Sequence, residues 1–360
     1  MRGRIVRLVL AAISLYFVWP ALVKVFGSYD ELSKIRPAWF VVMAGLEAAS
    51  FACVWLLIAI STSSRHWTLI ATSQLVGNAV SSTVPGGGAA GGPLQYSYMV
   101  RGGEDPERVV SGLATTSLLS LTTLFGLAAL CVPTMLWVGN IDARLERAAW
   151  LGSGVFVVML VVGILAFTRD GFLRVTTRVA QWALNLARRV FHRDRPASDD
   201  LQKRVLEQRD RLRSVLGAKW PWALVAVVSK WAFDFFALVA AVAATGAHVQ
   251  TVPVLLAYVA ASVLGMIPIT PGGLGFVEAG LAVTLVWAGV PGGNATVATL
   301  AYRLVSYWLP LVAGVAAVIV YKARYPEAAG RPAAVIANPG GRAGSESKED
   351  PDRDRTTEMQ

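Results

Sequence analysis

The stretch Ile267-Pro268-Ile269-Thr270-Pro271-Gly272-Gly273-Leu274-Gly275-Phe276-Val277-Glu278-Ala279-Gly280 constrains this chain most, because it breaks an apolar run with prolines, glycines and one carboxylate. Proline removes a backbone donor and glycine admits positive φ, so no continuous helix is expected through 268–275. In lipid, non-helical backbone is tolerated only where protein covers it or water reaches it. The stretch should therefore bend inside a helix bundle, with a new helix starting near Gly275. A looser counterpart is Val84-Pro85-Gly86-Gly87-Gly88-Ala89-Ala90-Gly91-Gly92-Pro93. Matching breaks in the two halves of a membrane protein point to a transport site.

Composition sets the class. With 55% hydrophobic and 16% charged residues, and several runs longer than about 18 apolar residues, the chain reads as an all-α, polytopic membrane helix bundle. Arg2, Arg4 and Arg7 precede an apolar stretch that continues to Phe26 without a small-x-small cleavage pattern, so a retained anchor is expected. Cys53 and Cys131 both fall in apolar spans, and His66, His192 and His248 lack ligand spacing. No disulfide framework, metal site or cofactor is expected. The net charge of +10 belongs to loops and points to anionic lipid and orientation, not to nucleic acid.

Six full spans are expected, at 5–26, 39–60, 109–138, 150–167, 222–244 and 294–321. Residues 68–83 and 94–100 are too short to cross separately and flank the first break; 252–269 and 275–290 flank the second. Residues 169–219 are rich in Lys and Arg, with Phe172, Val175, Val179, Trp182, Leu186 and Val190 at helical spacing. They read as a basic amphipathic hairpin lying on the cytoplasmic membrane surface, or alternatively as a plain solvated connector. The transmembrane domain covers 1–322, and 323–360 should be a disordered tail. The positive-inside rule places both termini in the cytoplasm. It then requires both broken segments to dip in and return, as two re-entrant helical hairpins from opposite faces in an inverted repeat.

Several polar residues lie inside these segments, and each has two readings. Glu278 either caps the helix after the glycines or serves a site. Arg303 sits about 13 Å into its span and needs a carboxylate, a lipid phosphate or water. Lys230 and Asp234 are one turn apart and either neutralise each other or join a site. Glu47 has no local partner. Gln74, Asn78 and Ser82 share one face, lining a polar path or bonding to neighbouring helices. The glycines Gly86, Gly87, Gly272, Gly273 and Gly275, with Pro271, are backbone necessities or aim amide N–H groups at a phosphate.

Pro85-Gly86-Gly87 with Arg101-Gly102-Gly103, then Pro271-Gly272-Gly273-Leu274-Gly275 with Glu278, and Ala301-Tyr302-Arg303-Leu304 to Leu309-Pro310 resemble the transmembrane region of lysylphosphatidylglycerol synthases. The resemblance covers roughly 5–322. Many relatives carry an Arg in the first loop and an acidic pair in the following span; here the loop is Gly-Gly-Gly-Ala-Ala-Gly-Gly and Thr115–Thr123 is only hydroxylic, so those contacts do not transfer. The synthases also carry an aminoacyl-transferase domain, which is not expected in this tail. The resemblance implies a flippase-like protein that moves an anionic or polyprenyl-linked lipid between leaflets.

In that reading Arg303 holds phosphate, Glu278 balances it or couples to protons, the prolines and glycines with Gln74 and Asn78 shape the path, and Asp234, Lys230 and Glu47 are candidates for coupling. The chain lacks Gly-x-x-x-x-Gly-Lys-Ser/Thr, so ATP hydrolysis of its own is not expected. The alternatives are a membrane-embedded enzyme, or an accessory partner of a lipid- or glycan-modifying enzyme.

Overall fold

A computed structural model describes residues 35–84, 88–138, 142–168, 219–248, 250–267 and 270–326. The described residues form nine helices: α1 (Pro37–Thr62), α2 (Trp67–Thr83), α3 (Gly88–Arg101), α4 (Pro106–Val138), α5 (Ala143–Thr168), α6 (Trp220–Ala244), α7 (Thr251–Gly265), α8 (Phe276–Trp287) and α9 (Gly292–Arg324). Five are long and apolar enough to cross a membrane, namely α1, α4, α5, α6 and α9. The expected first span, most of the basic hairpin and the tail beyond Pro326 lie outside the described residues. The chain is a multi-pass helical membrane protein.

The two halves follow one plan, in which a long helix, a pair of short helices and another long helix succeed each other. In the first half α2 and α3 pack antiparallel, with Gly77 against Gly91 and Leu69 against Gly102. The base of this hairpin is pinned by Glu104, whose Oε1 accepts from Ser64 Oγ at 2.5 Å and lies 2.9 Å from His66 Nδ1. In the second half Leu264 lies on Gly280, and Thr284 Oγ1 lies 3.4 Å from the Ala257 carbonyl across the α7–α8 pair. Its base is pinned by Asn294 Nδ2, which donates to Thr245 O at 2.9 Å. Each hairpin therefore leaves the bundle at the end where it entered.

The halves are inverted with respect to each other. Ser50 of α1 donates to the carbonyl of Lys230 at 3.1 Å, and Glu47, one turn earlier, interacts with Asp234, one turn later. So α1 and α6 run antiparallel, and the hairpins that follow them enter from opposite ends. The cross-packing is reciprocal, since α2 lies along the C-terminal part of α9 while α7 lies along α4. At 17 and 12 residues, α2 and α8 rise about 25 and 18 Å, short of a hydrocarbon core of about 30 Å.

Local sequence explains where helices start and stop, and corrects three expectations. Helix α3 begins at Gly88, not after Pro93: Pro93 forfeits only the bond to the Ala89 carbonyl, and Gly91 lets α3 approach the Gly77 carbonyl and Ser81 closely. Helix α5 begins at Ala143, seven residues before the apolar run, because Asp142 Oδ1 accepts from Arg144 N at 2.8 Å and starts the helix among charged residues. Helix α7 ends at Gly265, earlier than the expected 269. The lipid-facing belt is apolar, with Val41, Leu130, Leu151, Val312 and Ile319 exposed.

Candidate functional site

The hairpin tips meet beside the middle of α9. Residues 271–273 form one 3-10 turn, and α8 starts at Phe276 after Gly275. Gly272, at φ +57°, packs against the Ser82 carbonyl at the end of α2 and against the Tyr307 ring. A side chain would clash there and would also strain the left-handed backbone. Tyr307 Oη donates to the same Ser82 carbonyl at 2.8 Å, so one residue of α9 holds the tip of the opposite half.

Arg303 and Glu278 are the ionic centre of this junction. Glu278 Oε2 accepts from Gly275 N at 2.6 Å, capping α8, while Oε1 accepts from Arg303 Nε at 2.7 Å. Glu278 therefore caps α8, as one of its two readings expects, and pairs with Arg303 as well. The guanidinium also donates from Nη2 to the Gly272 carbonyl at 3.1 Å and lies over the Tyr307 ring, 4.5 Å from its centroid. Both side chains are largely buried, at 13% and 16% exposure.

The backbone that aims Arg303 is unusual. Residues Leu304–Trp308 wind as a π-helix directly after it. Pro310 has no N–H to offer the Ser306 carbonyl and its ring would crowd that group in an α-turn, so the wider turn relieves both problems.

A cavity of about 360 Å³ opens at this junction, and Arg303, Asn78, Ser82, Tyr258, Tyr302 and Tyr307 are among its lining residues. The remaining lining mixes hydroxyls from Ser81, Ser262 and Ser306 with apolar groups from α7 and α8. Such a wall suits a polar headgroup with an anionic centre near Arg303, because a guanidinium grips phosphate through paired N–H groups.

Two sequence features converge on this point. The first broken segment contributes Ser81 and Ser82, and the second contributes Gly272. The family described as the lysylphosphatidylglycerol synthase TM region matches residues 4–314. The chain belongs to that family. A UPF0104 membrane protein of Methanothermobacter thermautotrophicus is 24% identical to it over 306 residues, covering 80% of this chain and 87% of that protein. In this member of the synthase TM-region family, both proline–glycine breaks and the Tyr302-Arg303 pair thus fall in one matched region.

The other predicted residues divide. Asn78 lines the cavity, whereas Gln74 accepts from Trp55 Nε1 at 3.2 Å and fastens α2 to α1. The shared face of α2 is thus part packing and part cavity wall. Gly273 is buried against Val277 and Gly265, and Pro271 opens the 3-10 turn. Gly86 and Gly87 lie outside the described residues. Lys230 Nζ is 3.7 Å from Asp234 Oδ2, as their spacing suggests. Asp234 is also held by two tyrosines: Tyr258 Oη donates to Oδ2 at 2.8 Å and Tyr302 Oη to Oδ1 at 2.5 Å.

Sequence reasoning missed Tyr258, Tyr302, Tyr307, Ser262 and Ser306. Tyr302 was the legible one, since it stands beside Arg303. The others look like ordinary span residues until α7 and α9 are packed together. Among the described residues no group of His, Cys, Asp and Glu is placed to hold a metal ion.

Proposed function

We propose that this protein translocates a lipid with an anionic headgroup, an ordinary phospholipid or a polyprenyl-linked lipid, between leaflets without hydrolysing ATP. The reading includes a cytoplasmic membrane with both termini inside, supported by the basic segment 169–219. The observation that carries it is the polar cavity beside Arg303, at the point where two oppositely inserted hairpins touch. A headgroup there sits against guanidinium and hydroxyls while its chains remain in lipid. Gly272, Gly273 and Gly275, all at positive φ, give the second tip a place to bend. Rocking of one hairpin against the other then opens the cavity alternately to the two faces.

The test is reconstitution in liposomes, with leaflet-resolved detection of labelled phosphatidylglycerol and of a labelled polyprenyl phosphate lipid. Chemically unchanged lipid appearing in the opposite leaflet is the expected result, with slower transfer by Arg303→Lys. A changed product instead makes the protein a membrane enzyme. Neither outcome, in a folded protein, leaves it as a partner for another lipid- or glycan-modifying enzyme.

A further inference from the structure

A second ionic cluster adjoins the cavity without lining it. Glu47 on α1, with Lys230 and Asp234 on α6, brings two carboxylates and one ammonium into a space closed by helices. Its charges do not balance if all three groups ionise. Asp234 has what a buried carboxylate needs, since two tyrosine hydroxyls and the ammonium surround it. Lys230 lies between Asp234 and the face of Trp231, 3.2 Å from the ring centroid. Glu47 is different. It is only 5% exposed, and its Oε2 finds no hydrogen-bond partner among the described residues. An ionised carboxylate left in that condition is far more costly than a neutral acid in the same place.

Among the described residues, Lys230 is the cation that faces Glu47, and Asp234 shares it. The charged groups within electrostatic reach of it are Lys230 and Asp234 on α6, and the tyrosines within reach are Tyr258 on α7 and Tyr302 on α9. On α4 the Ser120 carbonyl accepts from Trp231 Nε1 at 3.0 Å, and on α2 Gln74 accepts from Trp55 Nε1, so both of these acceptors are taken by tryptophans. We propose that Glu47 is a proton-binding site: it holds a proton while Lys230 and Asp234 remain an ion pair, and releases it when the helices part enough to admit water. Tyr258 and Tyr302 connect this site to the cavity, because each lines the cavity and donates its hydroxyl to Asp234. A negative charge on Glu47 disfavours an anionic headgroup nearby, and a proton removes that penalty, so proton and headgroup would bind cooperatively. Only this last use rests on the transport reading.

Infrared titration of the full chain in nanodiscs tests the site without any transport assay. At neutral pH, where exposed carboxylates with pKa of about 4 are ionised, the wild type should show the carbonyl stretch of a protonated acid, sensitive to deuterium exchange and lost on raising pH. The band should be absent from Glu47→Gln, displaced in Glu47→Asp and retained in Glu278→Gln. Absence of the band from the wild type, or its survival in Glu47→Gln or at the same position in Glu47→Asp, overturns the proposal. Loss of the band on adding sodium at constant pH also overturns it, by making the site one for a metal cation. A band in a protein that fails to move lipid leaves the proton site standing and removes the transport reading instead.

Discussion

Tyr302 and Arg303 are consecutive residues that serve two separate ionic clusters. Tyr302 donates to Asp234 at 2.5 Å, and Arg303 donates to Glu278 at 2.7 Å. Adjacent positions on a helix point about 100° apart, so this one step of α9 divides its attention between α6 and α8. The cavity lies against both residues. A change in either cluster therefore has a direct mechanical route to the other.

The ion pair can be separated from the cavity by neutralisation. Glu278→Gln or Arg303→Gln alone should destabilise the protein by about 3 kcal/mol, because each strands a largely buried charge. The double variant should recover most of that stability. If Arg303 also serves the headgroup, the double variant inserts and folds yet fails to transfer lipid. Thermal melting and leaflet transfer on the same preparations check this, and full transfer by the double variant would confine the pair to a structural role.

Tyr307→Phe keeps the ring beneath Arg303 but leaves the Ser82 carbonyl without its donor. The expected cost is about 1–2 kcal/mol, with a larger relative effect on transfer than on melting, because the contact joins the two hairpin tips. A variant that melts early but transfers lipid normally would count against a coupling role.

Gly91→Ala should disturb the first hairpin. A β-carbon there meets the Gly77 carbonyl and the Ser81 side chain, and overpacking of this kind costs about 1–3 kcal/mol. Gly92→Ala, with open space around its position inside α3, is the control and should melt at or above the wild-type temperature, because alanine favours a helix over glycine.

Orientation is open to cysteine labelling in a background lacking Cys53 and Cys131. Cysteines replacing Arg65, Gly103 and Ser198 should react only from the cytoplasm, and those replacing His248 and Gly292 only from outside. Reaction of the Arg65 and Gly103 positions from opposite faces contradicts the closed base that Glu104 forms with Ser64 and His66.

If Glu47 carries the proton, a pH gradient across the liposome should bias transfer by the wild type. In Glu47→Gln the bias should vanish while passive equilibration persists. A bias that survives in Glu47→Gln assigns the coupling to another group.

Much of the architecture was set locally. Apolar runs of membrane length, prolines, glycines and the carboxylate at 278 act through the backbone of their own segment, so the bends, the start of α8 and the class of protein follow from neighbouring residues. The Lys230–Asp234 pair was legible for the same reason, being one helical turn apart. The rest depended on distance in sequence. Nothing near Glu47 indicates that its partners lie on α6, nothing near Asp234 indicates tyrosines from α7 and α9, and Ser82 meets Tyr307 only because inverted hairpins bring their tips together. A helix sequence reports which side chains share a face; only packing decides what that face meets. Buried charge in lipid makes those meetings obligatory, and so it was the tertiary structure that turned scattered polar residues into two adjoining clusters.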